Sequence, residues 1–182
     1  MKHKMLKPQQ GFFPQPIYLI GTINEARKVN FAPVSWITSC SGEPPGIMIA
    51  MTKKMLTCEN IIKTKMFSAN LTTRDMRQLV DYCGSVSGYD HDKTNYKGSL
   101  HYLNPQSGIP VLSDSPWVYE CEVTQTIELQ TSMVFLSKIT NINVDNSIEF
   151  TEYGNIDLKQ IDPLIYSPSQ YFALGEYLGA VN

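Results

Sequence analysis

The chain has few of the residues that mark a metal centre or a secreted scaffold. Its 182 residues include four cysteines, Cys40, Cys58, Cys83 and Cys121, scattered so that no two form a C-x-x-C pair. That argues against a structural zinc site and against a disulfide framework. The three histidines, His3, His91 and His101, form no ligand cluster. No apolar run approaches the roughly 18 residues of a membrane span, and the basic first seven residues are followed by no signal-type apolar segment. An excess of basic charge is also missing: 15 Lys and Arg against 17 Asp and Glu leave a formal charge of −2, which gives non-specific nucleic-acid binding no electrostatic support. No G-x-G-x-x-G follows a strand-like run, and there is no P-loop, H-E-x-x-H or G-x-S-x-G. The expectation is one soluble, cytoplasmic domain over residues 1–182, large enough for a hydrophobic core.

What is present reads mainly as β-strand. Residues 1–10 look like a loose arm, and Phe12, Phe13, Pro14 and Pro16 lead into a compact apolar run at 17–22 that suits a buried strand. Residues 24–30 are polar and turn-like. Residues 73–82 place Met76, Leu79 and Val80 at helical spacing, with Thr73 as N-cap and Gly84 as stop. Residues 83–108 form a long polar loop with a short helical turn near 90–95; loops of that length in compact domains are commonly functional or mobile. From Trp117 the chain alternates: Tyr119, Cys121, Val123, Ile127 and Leu129 against Glu120, Glu122, Thr124, Thr126 and Glu128, with Gln125 breaking the apolar set. Period two predicts one buried and one wet face. The turn at Thr131–Ser132 leads to a returning strand from 133 to 139, extending to 144, and 148–153 reads as one more short strand. The tail, 161–182, is too apolar and Tyr-rich to be free and is expected to dock. Long antiparallel strands with two short helices suggest a closed or nearly closed β-barrel, which leaves no exposed sheet edge.

Residues 30–70 carry the chemistry. Two β-like runs, 34–39 and 47–52, flank a turn at 42–45, and Lys53, Lys54 and Thr57 then precede a helical pattern. Hydroxyls, two ammonium groups and the free N–H groups of a helix start suit an anion. Each group has a plain alternative. Thr38, Ser39 and Ser41 also read as strand-end and turn residues, Thr57 as a helix N-cap, and Lys53 and Lys54 as a solvated pair of which one at most meets an anion. Cys40 reads as a small buried hydrophobe and His91 and His101 as loop residues.

The order of these elements resembles the flavin reductase-like, FMN-binding split-barrel family, in its flavoredoxin-like branch. The matching features are Asn30 with V-S-W-I-T, the Pro44-Pro45 pair before I-M-I-A-M, K-K-M-L-T-C-E-N-I, F-S-A-N ending at Asn70, Ser87-Gly88-Tyr89-Asp90 leading to Asp92-Lys93, V-Y-E-C-E-V at 118–123, and P-L-I-Y-S-P-S-Q-Y-F-A-L-G-E-Y-L-G at 163–179. The resemblance implies a six-stranded antiparallel Greek-key split barrel with a few short flanking helices. It also implies non-covalent FMN and a homodimer with the flavin near the interface. The cofactor-binding residues it points to are Ser35, Trp36, Ile37, Thr38, Ser39, Thr52, Lys53, Lys54, Thr57, Asn70, Ser87 and Lys93, with no metal and no catalytic side chain. The implied activity is electron transfer through FMN, with NAD(P)H or a redox protein as donor; the alternative is an electron carrier or flavin-storage module without its own NAD(P)H activity. One departure bears on this. Where NAD(P)H-using members carry Gly-Asp-His between the long strands and a following Gly, this chain has Gln130-Thr131-Ser132 and Ser137.

Overall fold

The computed structural model describes residues 3–10, 13–103, 105, 107–151, 154 and 156–179. In chain order the strands are β1 (Gln15–Pro16), β2 (Tyr18–Ile23), β3 (Val29–Val34), β4 (Ile37–Gly42) and β5 (Pro45–Thr52). Helix α1 (Leu56–Thr64), β6 (Met66–Leu71), a 3-10 turn (Arg74–Met76) and α2 (Arg77–Ser85) follow. A second 3-10 turn (Lys93–Gly98), β7 (Tyr102–Leu103) and β8 (Val111–Leu112) precede the long hairpin of β9 (Trp117–Glu128) and β10 (Ser132–Val144). The chain closes with α3 (Leu158–Ile161), β11 (Ile165–Ser167) and β12 (Gln170–Phe172). Among the described residues no helix is long and apolar enough to cross a membrane.

The main sheet has the order β3-β2-β6-β9-β10-β5-β4, and every neighbouring pair is antiparallel. Its two end strands are consecutive in the chain. Only Ser35 and Trp36 separate them, and Trp36 O accepts a 2.9 Å bond from Ala50 N of β5. The run expected at 34–39 as one strand is therefore broken at this joint, with one half paired to β2 and the other to β5. Counted as one bent strand, β3 and β4 give six strands.

β2 shows why its sequence is apolar almost throughout. Tyr18 and Ile20 pack into one core with Ile49, Phe67 and Phe135, while Ile17 and Leu19 pack into a second with Phe31. Each helix serves one core. Cys58 and Ile61 of α1 enter the first; Leu79, Val80 and Cys83 of α2 enter the second. Gly84, expected as the stop of that helix, lies inside it. Of the tail expected at 161–182, β11 pairs with β1 and β12 and Leu164 is buried in the second core, whereas Leu174, Tyr177 and Leu178 are exposed. Of the strand expected at 148–153, a single bridge joins Phe150 to Ile156. Glu152 and Tyr153 lie outside the described residues, as do Met1, Lys2, Phe12 and the last three residues of the tail.

The β9 alternation needs correction. Register runs from Leu136↔Gln125 to Ser137↔Val123, so Thr124 is an extra residue, and its Oγ1 donates to Leu136 O at 3.1 Å. One extra residue reverses which side chains face inward. Beyond it Thr126 is half-buried, and Ile127 and Leu129, expected on the buried face, are exposed. Glu120, expected on the wet face, is buried, and its Oε1 accepts from Asn141 and Asn143.

Candidate functional site

Two adjoining cavities lie at the β3–β4 joint and the start of α1, and Pro33 and Met55 line both. The first, about 400 Å³, is also bounded by Ser35, Trp36, Thr52 and Thr131. The Trp36 indole is partly exposed at this cavity. Thr131, in the β9–β10 turn, and Ser132, the first residue of β10, also stand on this cavity's wall.

The second cavity, about 250 Å³, is lined by Asn30, Lys54, Thr57, Ser87, Gly88 and Lys93 among others. The chain brings these together from five places: β3, the turn before α1, the first turn of α1, the loop after α2, and the start of the second 3-10 turn. Met55, not Thr57, is the N-cap of α1, and no side chain caps it, so its first amide groups are not covered by a capping oxygen. Thr57 lies one residue inside the helix, buried, with Oγ1 accepting a 2.9 Å bond from Asn30 Nδ2. Asn30 Oδ1, also buried, has no hydrogen-bond partner among the described residues. A Cβ on Gly88 would collide with that oxygen and approach Leu56 Cδ2 to 2.9 Å, so only glycine leaves the wall where it is. The turn carrying Gly88 is tied to α1 by Tyr89, whose hydroxyl donates to Glu59 Oε2 at 2.9 Å.

Lys93 is 4% exposed. Its Nζ donates to Phe31 O at 3.1 Å and to Cys83 O at 2.6 Å, and no carboxylate pairs with it among the described residues. Desolvation draws its pKa below the usual lysine value, partly opposed by the Cys83 thiol. An ammonium has three donors, so one remains after the two carbonyls. Lys54 is exposed at the cavity with no ion pair among the described residues, whereas Lys53 is held by Glu128 Oε1 at 2.6 Å.

Of the twelve residues named from the sequence, the cavities gather Ser35, Trp36 and Thr52 on one side and Lys54, Thr57, Ser87 and Lys93 on the other. Ile37, Thr38 and Ser39 instead line a separate depression of about 330 Å³ with Tyr18 and Tyr119. Asn70 is fully buried with its amide in use: Nδ2 donates to Leu19 O and Ser68 Oγ, and Oδ1 accepts from Leu112 N. Cys40, expected to be buried, is exposed on β4. Pro33, Met55, Gly88 and the Asn30 side chain also line the cavities, beyond the residues expected from the sequence. Gly88 had a signal, since a glycine inside a Ser-Gly-Tyr-Asp turn often marks a close approach, and Asn30 had one in its place ahead of V-S-W-I-T; Pro33 and Met55 had none.

The flavin reductase like domain model matches residues 10–175 of the chain. The chain belongs to the flavin reductase-like domain family. Flavoredoxin of Desulfovibrio vulgaris (Miyazaki F) superposes with a TM-score of 0.88 at 26% identity, covering 98% of this chain and 97% of that one. Flavoredoxin from Methanosarcina acetivorans does so with a TM-score of 0.88 at 27% identity, covering 98% and 95%. An FMN-binding protein of Thermus thermophilus, crystallised with 1-cyclohex-2-enone, shares the fold with a TM-score of 0.82 at 22% identity, over 100% and 99% of the two chains. The flavin reductase-like assignment therefore spans nearly the whole chain, and its mainly β topology with short helices is flavoredoxin-like.

Proposed function

We propose that this flavin reductase-like protein binds FMN non-covalently across the two cavities and transfers electrons through it. The observation that carries the reading is Lys93: a buried ammonium with two carbonyl acceptors, no carboxylate partner among the described residues and a donor left over, on the wall of a cavity. Burying a charge is tolerable when it is paired, and a phosphate monoester supplies that pair. The donor set fits such a group. Lys54 adds a second cation, Thr57 a hydroxyl, and α1 its uncapped first turn. The adjoining cavity sets Trp36, Pro33, Met51 and Met55 beside Ser35, Thr52, Thr131 and Ser132, a mixed wall suited to an aromatic ring system with polar edges. Ser35, Trp36 and Thr52 would hold the ring; Lys54, Thr57, Ser87 and Lys93 would hold the phosphate.

FMN, when bound, supplies one- and two-electron chemistry. The chain's part is to bind and orient it and to exclude water, and no side chain is nominated for proton transfer. On this reading the β3–β4 joint closes the sheet into the six-stranded split barrel, and the exposed apolar residues of the tail support a homodimer with the flavin near the interface.

The donor is NAD(P)H or a redox protein. Thr131 and Ser132 stand on the ring-side cavity where an imidazole would be expected in nicotinamide-using relatives, which favours a protein donor. The test is steady-state oxidation of NADH and of NADPH with excess free FMN. Slow or undetectable turnover is expected without a partner, and rapid turnover with either nucleotide would refute the preference for a protein donor.

A further inference from the structure

A depression of about 330 Å³ opens at the mouth of the first core and shares no lining residue with the two cavities assigned to flavin. Ile47 belongs to that core, and Tyr18, Ile37, Tyr119 and Ile139 pack against it, so the apolar interior runs out to the surface here. None of the lining residues carries a formal charge. The polar groups are the two phenols and, among exposed residues, Thr38 and Ser39.

The phenols are available. The Tyr18 hydroxyl has no hydrogen-bond partner among the described residues. The polar neighbour of the Tyr119 hydroxyl is the Trp117 indole, its ring centroid 6.0 Å from that of Tyr119. An indole N–H only donates, so the phenolic hydrogen of Tyr119 is not spent on it. Burial raises both phenols above the ordinary tyrosine value, and for Tyr18 the neighbouring Tyr119 adds to it. Both therefore stay protonated at neutral pH and can donate.

Their placement selects a shape. Tyr18 lies on β2 and Tyr119 on β9, with β6 between them. That is two strand spacings, roughly 10 Å between backbones. One six-membered ring with an oxygen at either end, and a hydrogen bond beyond each, has about that reach. The isoleucine floor suits the faces of such a ring, and the uncharged wall offers nothing to an anion or a cation.

We infer that this mouth is a second ligand site, which binds an uncharged one-ring quinone. One carbonyl oxygen accepts from the Tyr18 hydroxyl and the other from the Tyr119 hydroxyl, with Ile37, Ile47 and Ile139 against the ring. The site is independent of FMN binding.

The probe is duroquinone, whose fully substituted ring cannot add a thiol such as the exposed Cys40. Its dissociation constant is measured by equilibrium dialysis for wild type, Tyr18→Phe, Tyr119→Phe and the double variant, with thermal unfolding of each as a check of folding. Each single variant should bind about five- to tenfold more weakly, as the loss of one neutral hydrogen bond implies, and the double variant more weakly still. Saturating FMN should leave the wild-type constant unchanged. Failure of wild type to bind the quinone overturns the inference, as does equal binding by wild type and both single variants. Displacement of the quinone by FMN overturns it too, because it would place the quinone in the flavin cavities. Should one variant not fold, the other decides. Were FMN not bound at all, the FMN reading would fall and the tyrosine variants would still decide this site.

Discussion

The Lys53 ammonium lies 2.6 Å from Glu128 Oε1, fastening the end of β5 to the end of β9. Its neighbour Lys54 makes no such pair among the described residues and lines the second cavity. Two adjacent lysines, alike in sequence, therefore differ in availability. Lys54→Met should weaken FMN binding several-fold, less than a buried contact would, because Lys54 is exposed and solvent screens it. Lys53→Met should leave FMN affinity unchanged and should raise the pKa of Glu128, which Lys53 now holds below the usual carboxylate value. Titration of both variants with FMN at low and moderate salt decides the point; a larger loss in Lys53→Met would mean that the pair opens to meet the phosphate.

Lys93 predicts two pH dependences of opposite sign. Burial lowers its pKa in the folded protein. Between that value and the unfolded value of roughly 10.4, the unfolded chain binds more protons, so the stability of the flavin-free protein rises with pH across this window. A phosphate dianion beside Nζ favours the charged form, so FMN affinity should fall as pH rises through the same window. Denaturant unfolding and FMN titration from about pH 7 to about pH 10 would measure both slopes. Lys93→Met should flatten the affinity slope and bind FMN about ten- to a hundredfold more weakly, the worth of a charge-assisted bond. A wild-type affinity that stays level across this range would remove Lys93 from the phosphate site.

Much of the fold is legible in residue order because local pattern and burial agree there: the 17–22 run is a strand buried on both faces, and the 117–144 region is a long hairpin. The failures have local causes. Period two assumes an unbroken register, and the Thr124 bulge reverses the facing of Ile127 and Leu129. Gln125 at the break in the apolar set was the only hint. At the site, residue type indicated an anion, but partnership decided which residues were available. Asn70 and Lys53 have the right chemistry and are engaged with Leu112 and Glu128, contacts 42 and 75 residues away in sequence. Asn30 is the converse: its chemistry shows only when Thr57 and Gly88 are brought beside it.

The tail gives a prediction about assembly. Leu164 is buried and β11 completes a sheet with β1, so cutting the chain after Pro163 would remove part of the core as well as any interface. Cutting after Phe172 removes Leu174, Tyr177 and Leu178, all exposed, and leaves both strands. That truncation should fold, with a reduced dimer fraction in sedimentation. An unchanged dimer fraction would move the interface elsewhere, first to the exposed Ile127 and Leu129 of the long hairpin.

A phosphate held at Lys93, Lys54 and the start of α1 would make FMN and riboflavin very different ligands for this protein. The most direct measurement is titration of the flavin-free protein with FMN and with riboflavin, which share the ring and the ribityl chain and differ in the phosphate. Charge-assisted bonds are worth roughly 1.5–3 kcal/mol each, so FMN should bind at least about a hundredfold more tightly than riboflavin, and Lys93→Met should narrow that ratio. Equal affinities for the two flavins, or a ratio unchanged in Lys93→Met, would contradict the account.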